Sequence, residues 1–121
     1  MTLEYKELLL GQCRNYNIGG KRRYDMGFSE YTIQKVWEKG KVVSGNDPNV
    51  WRDDQCGAWI GRAYYGNRNS QYGWEIDHIA PVSEGGGDEL SNRRPLQWGN
   101  NVSKQDGRLT CSVTASGVNN R

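Results

Sequence analysis

The clearest hydrophobic pattern in the first half of the chain is a helical stripe that follows Ser29. Ile33, Val36 and Trp37 fall at positions i, i+3 and i+4, a spacing that aligns side chains on one face of an α-helix. Ser29 is a favourable N-cap residue, and Gly40 a favourable helix stop. The pattern therefore predicts a helix that packs its apolar stripe against the rest of the domain.

Beyond a turn-rich linker at 41–48, aromatic and β-branched residues cluster in short runs typical of strands. A strand is predicted to begin at 50–52, and further strands are predicted at 58–65 and 72–79. The turn residues at 66–70 separate the last two runs. The expected arrangement is therefore an antiparallel hairpin of the 58–65 and 72–79 strands.

The segment after this hairpin predicts a loop, a strand and a short helix. Proline and the run Gly85-Gly86-Gly87 exclude regular structure from 80–91. A strand is expected at 94–98, where Pro95 is tolerable only at a sheet edge or near the strand start. Helix-compatible residues follow at about 99–105. The order strand, loop, strand, helix would bring Asp77, His78 and Asn101 together at one point.

The two ends of the chain carry weaker signals. A short helix over 3–10 and a loop over 12–28 are predicted, so that 1–28 forms a loosely ordered N-terminal extension. Alternating apolar and hydroxyl side chains at 109–115 indicate a half-buried strand. Residues 116–121 are expected to form a frayed end.

Composition changes this picture in two respects. A chain of 121 residues forms one domain, and its five Trp and seven Tyr indicate a core of few, large side chains. The net charge is only +2, with +1 in each half, so charge alone does not identify a nucleic-acid-binding protein.

Cysteine usage bears on the compartment. Cys13, Cys56 and Cys111 are odd in number and form no Cys-x-x-Cys pair. Together with an apolar run at 8–10 that is too short for a signal sequence or membrane span, this predicts free, packed thiols in a cytoplasmic protein with no membrane partner.

The strongest chemical signal is an acid placed directly before the only histidine. Asp77 precedes His78, Asn92 follows 14 residues later, and Asn101 another nine residues on. An imidazole exchanges its proton near neutral pH and can act as a general base. Carboxylate and amide oxygens suit Mg²⁺, and Mn²⁺ accepts the same ligands.

The pattern of these polar residues and of the residues that flank them resembles that of the HNH family of nucleases, whose core is a ββα-metal motif. The resemblance rests on four pieces of sequence: Glu75-Ile76-Asp77-His78-Ile79, Gly-Gly-x-Asp in the loop, Asn92-x-x-Pro95-Leu96 and Asn101-x-x-Lys104. It implies an α+β fold: a single domain over 1–121 with the HNH core at 72–107, an N-terminal helix and an antiparallel hairpin.

The chain departs from the family pattern at three positions. Asn101 stands where the last family letter is often His, a variant that the family allows. Many relatives carry cysteines that bind a structural zinc, whereas this chain has Gln97 and Asn100 there. The resemblance therefore implies no structural zinc.

The resemblance also implies roles for the matching residues. His78 would be the general base, and Asp77 and Asn101 would hold one divalent cation, Mg²⁺ with Mn²⁺ able to substitute. Asn92 would brace the loop and orient His78. Asn100 would exchange roles with Asn101 if the helix were offset by one residue.

Four further residues surround the expected site. Lys104 could neutralise a phosphate oxygen, and Arg93 and Arg94 alternate on their strand, so that one of them would face the substrate. Glu75 shares a strand face with Asp77 and would be a supporting partner of the metal site or an exposed strand residue.

The function that follows is a metal-dependent endonuclease that hydrolyses phosphodiester bonds of DNA, with double-stranded DNA as the expected partner. Two alternatives stay open at this level. One is a non-catalytic nucleic-acid-binding module of the same fold, and the other is a structural or adaptor protein that cleaves only with a partner. Cleavage by the isolated chain would distinguish them.

Overall fold

The structure is a computed structural model of the chain and describes residues 27–104 and 107–121. Its first helix, α1, spans Glu30–Trp37, and the Ser29 hydroxyl caps it by accepting a hydrogen bond from the Thr32 amide at 3.1 Å. The helix predicted after Ser29 is thereby confirmed, with its apolar stripe buried. The predicted helix over 3–10 and nearly all of the 12–28 loop lie outside the described residues.

The first hairpin pairs strand β1, Trp51–Asp53, with strand β2, Trp59–Gly61. A tight turn joins them, in which the Gly57 amide donates to the Asp54 carbonyl at 2.9 Å and Gly57 takes a φ of 83°. Because glycine adopts this left-handed conformation without steric cost, the chain can reverse immediately.

Two predictions for this region are therefore wrong. The strand expected at 58–65 ends at Gly61, because Arg62–Tyr64 forms a 3₁₀ turn. The strand also pairs with β1 and not with the following strand, since the tight turn presents β1 to it first.

The second hairpin pairs strand β3, Trp74–His78, antiparallel with strand β4, Arg93–Gln97. Pro95 lies opposite Ile76 in a two-stranded sheet, where every strand is an edge. Helix α2, Trp98–Val102, follows β4 without a linker. The predicted order of strand, loop, strand and helix is present, with boundaries shifted by one to three residues.

The core lies between α1 and the two hairpins. Trp37 and Trp74 are fully buried, with ring centroids 5.4 Å apart, and the Tyr65 ring meets Trp74 edge-on at 4.9 Å. Such aromatic pairs add to the free energy that burial of their area provides. This core fixes one face of β3 and leaves its other face to polar residues.

The C-terminal segment differs from its prediction. Only Ala115–Ser116, strand β5, and Asn119–Asn120, strand β6, pair as a short hairpin. The half-buried strand predicted at 109–115 is therefore wrong, because only its last residue, Ala115, belongs to a strand. The Val113 amide, for example, donates to the Asn100 side chain at 2.8 Å and not to a neighbouring strand.

The last residues are not frayed either. The Asn120 side chain accepts from the Trp59 amide at 2.8 Å and donates to the Trp59 carbonyl at 2.9 Å. These bonds attach the C-terminal hairpin to strand β2.

Cys56 and Cys111 form a disulfide that joins the β1–β2 turn to the C-terminal segment. The expectation of free thiols is therefore wrong for these two residues, because the fold places side chains 55 positions apart in sequence within bonding distance. Cys13 lies outside the described residues. Within 27–104 and 107–121, no helix is long and apolar enough to cross a bilayer. The architecture is α+β, with small antiparallel hairpins.

Candidate functional site

The polar face of β3 carries two buried acids. Glu75 and Asp77 are only 3% and 5% exposed, and their spacing of two places both side chains on one face of the strand. A buried carboxylate is costly unless it is paired and hydrogen-bonded. Basic and amide side chains from other segments meet both acids.

Asp77 is held by two cations. Arg94, its neighbour across the β3–β4 ladder, donates from Nε to Oδ2 at 2.8 Å. Lys104 donates from Nζ to Oδ1 at 2.5 Å and to the His78 carbonyl at 3.2 Å. The carboxylate charge is therefore neutralised from both sides.

Glu75 has its own partners. Arg68 donates to both carboxylate oxygens, from Nε at 2.5 Å and from Nη2 at 2.9 Å. Asn101 donates from Nδ2 to Oε1 of Glu75 at 2.8 Å. This bond fixes the orientation of the Asn101 amide, and its oxygen accepts no hydrogen bond from the residues that the structure describes.

Helix α2 and the turn after it run beside β3 in register. Asn101 contacts Glu75, and Lys104 contacts Asp77. Two residues that are three positions apart in the α2 segment therefore meet two residues that are two positions apart on β3. Asp77 and Asn101 thus lie on the same side of β3. In the described part of the chain they share no direct hydrogen bond.

His78 ends strand β3, and alternation directs it to the face opposite Asp77. Its side chain is 25% exposed, and Nε2 lies 2.9 Å from Oδ1 of Asp88 in the loop. The hydrogen bond to His78 is the main reason that the pKa of Asp88 is lowered, with a smaller contribution from the charge of Arg93. The imidazole and the Asp77 carboxylate make no direct contact.

Asn92 connects the two ends of the loop that carries Asp88. Its side chain accepts from the Ala80 amide at 2.8 Å and donates to the carbonyls of Ala80 and Gly87 at 3.0 and 2.8 Å. Gly86 is required beside this clamp, because a Cβ there would lie 1.8 Å from the Ala80 carbonyl oxygen. The loop is thereby held so that Asp88 reaches the imidazole.

The two adjacent arginines take different directions. Arg94 joins Asp77 to Gln55, to which its Nη1 donates at 2.9 Å. Arg93 stacks over the Phe28 ring at 4.8 Å and lies 3.7 Å from Asp88. Strand alternation therefore separates the two arginines as expected, with Arg94 directed toward Asp77 and Arg93 toward Asp88.

Asn100 and Asn101 also separate clearly. Asn100 is fully buried, and its amide group donates to Asp54 at 3.0 Å and to the Val113 carbonyl. Asp54 accepts further bonds from the amides of Cys56, Ala58 and Gln97. Asn100 therefore belongs to a structural network, and Asn101 is the asparagine that faces the β3 acids.

Sequence reasoning missed the partners of the expected site residues. Arg68 lies in a turn whose sequence contains no sign that it would meet Glu75. Asp88 did have a signal, since it is the acid of the Gly-Gly-x-Asp stretch, but its contact with His78 depends on loop geometry.

The donor set suits an oxygen-preferring cation in part. Asp77 and Asn101 supply a carboxylate and an amide oxygen, as Mg²⁺ prefers. Lys104, however, lies on Oδ1 of Asp77, where its ammonium supplies the positive charge that a metal ion would bring. The residues fit a divalent cation provided that this flexible side chain moves away.

No group of three or more His, Cys, Asp or Glu side chains that could hold a metal ion occurs in the described residues. A site with one carboxylate and one amide would not form such a group. Comparison of the chain with models of protein families, with curated proteins and with solved structures finds no match.

Proposed function

We propose that this protein is a metal-dependent endonuclease of the HNH type, which hydrolyses phosphodiester bonds of DNA. The observation that carries the proposal is the shared polar face of β3, where Asn101 meets Glu75 and Lys104 meets Asp77. Motif residues that are more than 20 positions apart in sequence thus line one strand. Strands β3 and β4 with helix α2 would then form the ββα-metal core.

The base of the reaction would be His78. Asp88 accepts a hydrogen bond from Nε2 in the neutral tautomer that carries its proton there, which leaves Nδ1 with a free lone pair. Such a nitrogen can take a proton from an attacking water. Asn92 contributes by holding the loop, and therefore Asp88, in place.

The remaining task is to neutralise charge on the phosphate. When bound, a divalent cation held by Asp77 and Asn101 would supply this electrostatic stabilisation and assist the departing oxygen. Lys104, once released from Asp77, is placed to neutralise a phosphate oxygen. Glu75 orients Asn101 by accepting a bond from its amide nitrogen.

The test is cleavage of supercoiled plasmid by the purified chain. We expect nicking or linearisation with Mg²⁺ or Mn²⁺ and none with EDTA. His78→Ala should lower the rate by about 10²–10⁴-fold, the usual contribution of a general base. A His78→Ala protein that cuts at the wild-type rate would exclude this base.

A second candidate is a nucleic-acid-binding module without turnover. It is favoured by the pairing of Asp77 with both Arg94 and Lys104, which balances the buried carboxylate without a metal ion. Under this alternative Mn²⁺ would not bind at Asp77, and DNA would bind equally well in EDTA and Mg²⁺ and stay intact.

A further inference from the structure

Arg94, which pairs with Asp77, also lines a polar cleft. The cleft has a volume of about 650 Å³ including its open mouth, and it runs between the segment after α1 and strand β4. Its lining includes three basic side chains, one amide and one acid: Lys39, Lys41, Arg94, Gln55 and Asp54.

The exposed charge of this cleft is positive. Asp54 is only 1% exposed, and its two carboxylate oxygens accept hydrogen bonds from four buried or partly buried donors, in Cys56, Ala58, Gln97 and Asn100. Its negative charge is therefore stabilised inside the protein and is not presented to the cleft. Asp53 interacts with Lys41 from outside the lining and offsets part of that charge.

The basic groups differ in how firmly they are held. Lys39 donates to the carbonyls of Leu90 and Arg93, which ties the end of α1 to the start of β4. Lys41 is exposed. Among the described residues its ammonium has no hydrogen bond or close ion pair, and its charged neighbour is Asp53, with which it interacts electrostatically from a longer distance. The Lys41 ammonium is therefore available to an external anion.

Arg94 connects this cleft to the candidate site. Its Nε donates to Asp77 and its Nη1 to Gln55, a residue of the cleft lining. If one anionic group of a polymer lay at the Asp77 site, the basic side chains of this cleft would therefore be the next positive groups available to its neighbouring anionic groups.

We propose that the cleft binds the phosphodiester backbone of the DNA beside the phosphate that is hydrolysed, with Lys41 as a direct phosphate contact. The position of the cleft beside the hydrolysed phosphate rests on the proposed function. The partner is a nucleic-acid backbone and not a small anion, because the cleft is open and continues the site through Arg94.

The test compares Lys41→Gln with a matched control, Lys35→Gln. Both changes remove one positive charge, but Lys35 lies on α1, 3.7 Å from Glu38 and over the Tyr31 ring, and outside the cleft lining. Binding of a duplex of about 25 base pairs is measured in EDTA, so that cleavage cannot interfere, at several salt concentrations.

We expect Lys41→Gln to weaken binding about five- to tenfold at 0.1 M salt and to make the slope of log K against log salt less steep by about 0.9. Lys35→Gln should bind as the wild type does. Equal slopes for Lys41→Gln and wild type, or no duplex binding by the wild type at all, would overturn the proposal that this cleft binds DNA.

The outcomes separate the two proposals. If the wild type cuts plasmid while Lys41→Gln binds normally, the nuclease stands and the cleft is rejected. If the wild type binds DNA with the predicted loss in Lys41→Gln but never cuts, the cleft stands and the nuclease is rejected.

Discussion

Lys104 donates a hydrogen bond to Asp77 across 27 residues of sequence, with its ammonium nitrogen 2.5 Å from Oδ1. Both side chains are nearly enclosed, at 13% and 5% exposure. A divalent cation bound at this oxygen would compete with Lys104 for the same charge. The pair therefore links metal binding to the position of a lysine.

Lys104→Gln should separate these two effects. We expect the variant to bind Mn²⁺ several-fold more tightly, because no ammonium has to leave Asp77, and to cut DNA more slowly, because a positive charge near the phosphate is lost. Isothermal titration measures the first effect and plasmid nicking the second. Asp77→Asn is the contrasting variant and should lose Mn²⁺ binding; an unchanged Mn²⁺ affinity in Lys104→Gln would show that the two cations do not compete.

Asp88→Asn should slow cleavage about 10–100-fold, by analogy with the loss of the hydrogen-bond partner of a metal-bound imidazole. The cause is loss of the carboxylate that holds the His78 ring through Nε2. The measurement is the nicking rate, with Glu84→Gln, another exposed acid of the same loop, as the control. Equal losses in both variants would assign the effect to loop charge in general.

Acid should weaken the fold through the same pair. Because the pKa of Asp88 is lowered from its ordinary 3.8, mainly by the bond to His78, its contribution to the free energy of unfolding is present above about pH 4. It is lost as pH falls through the lowered value. Urea unfolding at a series of pH values should show a stability difference between wild type and Asp88→Asn that shrinks below pH 4.

The matched comparison repeats the Asp88→Asn change in a His78→Ala background. There the largest cause of the lowered pKa is gone, so the pH-dependent difference should be much smaller. A difference that is the same in both backgrounds would mean that His78 does not stabilise the Asp88 carboxylate.

Reduction of the Cys56–Cys111 disulfide should destabilise the protein. Closing a loop with a sequence separation of 55 contributes about 4 kcal/mol in the chain-entropy account. Denaturant unfolding with and without a reductant measures this loss, and the Cys56→Ser/Cys111→Ser variant should be insensitive to reductant. Equal stability of wild type in both conditions would mean that the bond does not constrain the unfolded chain.

Asp54→Ala should cost at least about 3 kcal/mol of unfolding free energy, because four donors lose a buried, charged acceptor. Asp47 provides the control, since it is exposed and accepts from the Asn49 amide. Asp47→Ala should cost about 1 kcal/mol or less. Similar losses in the two variants, measured by thermal or urea unfolding, would contradict a special role for Asp54.

Local pattern was sufficient for the elements that are stabilised by near neighbours. Helix α1 follows from the Ser29 cap and an apolar stripe within eight residues, and β3, β4 and α2 follow from short runs bounded by turn residues. The same locality placed Glu75 and Asp77 on one strand face, because alternation along a strand needs no knowledge of the rest of the fold.

Sequence by itself thus determined the helix after Ser29, the strand, loop, strand and helix order, and the set of polar residues worth examining. Only the tertiary structure decided that β2 pairs with β1, that Cys56 meets Cys111, and which cations meet Glu75 and Asp77. The physical reason is that strand pairing, a disulfide and a buried ion pair each depend on the distance between groups far apart in sequence. Such distances follow from how the whole chain packs around Trp37 and Trp74.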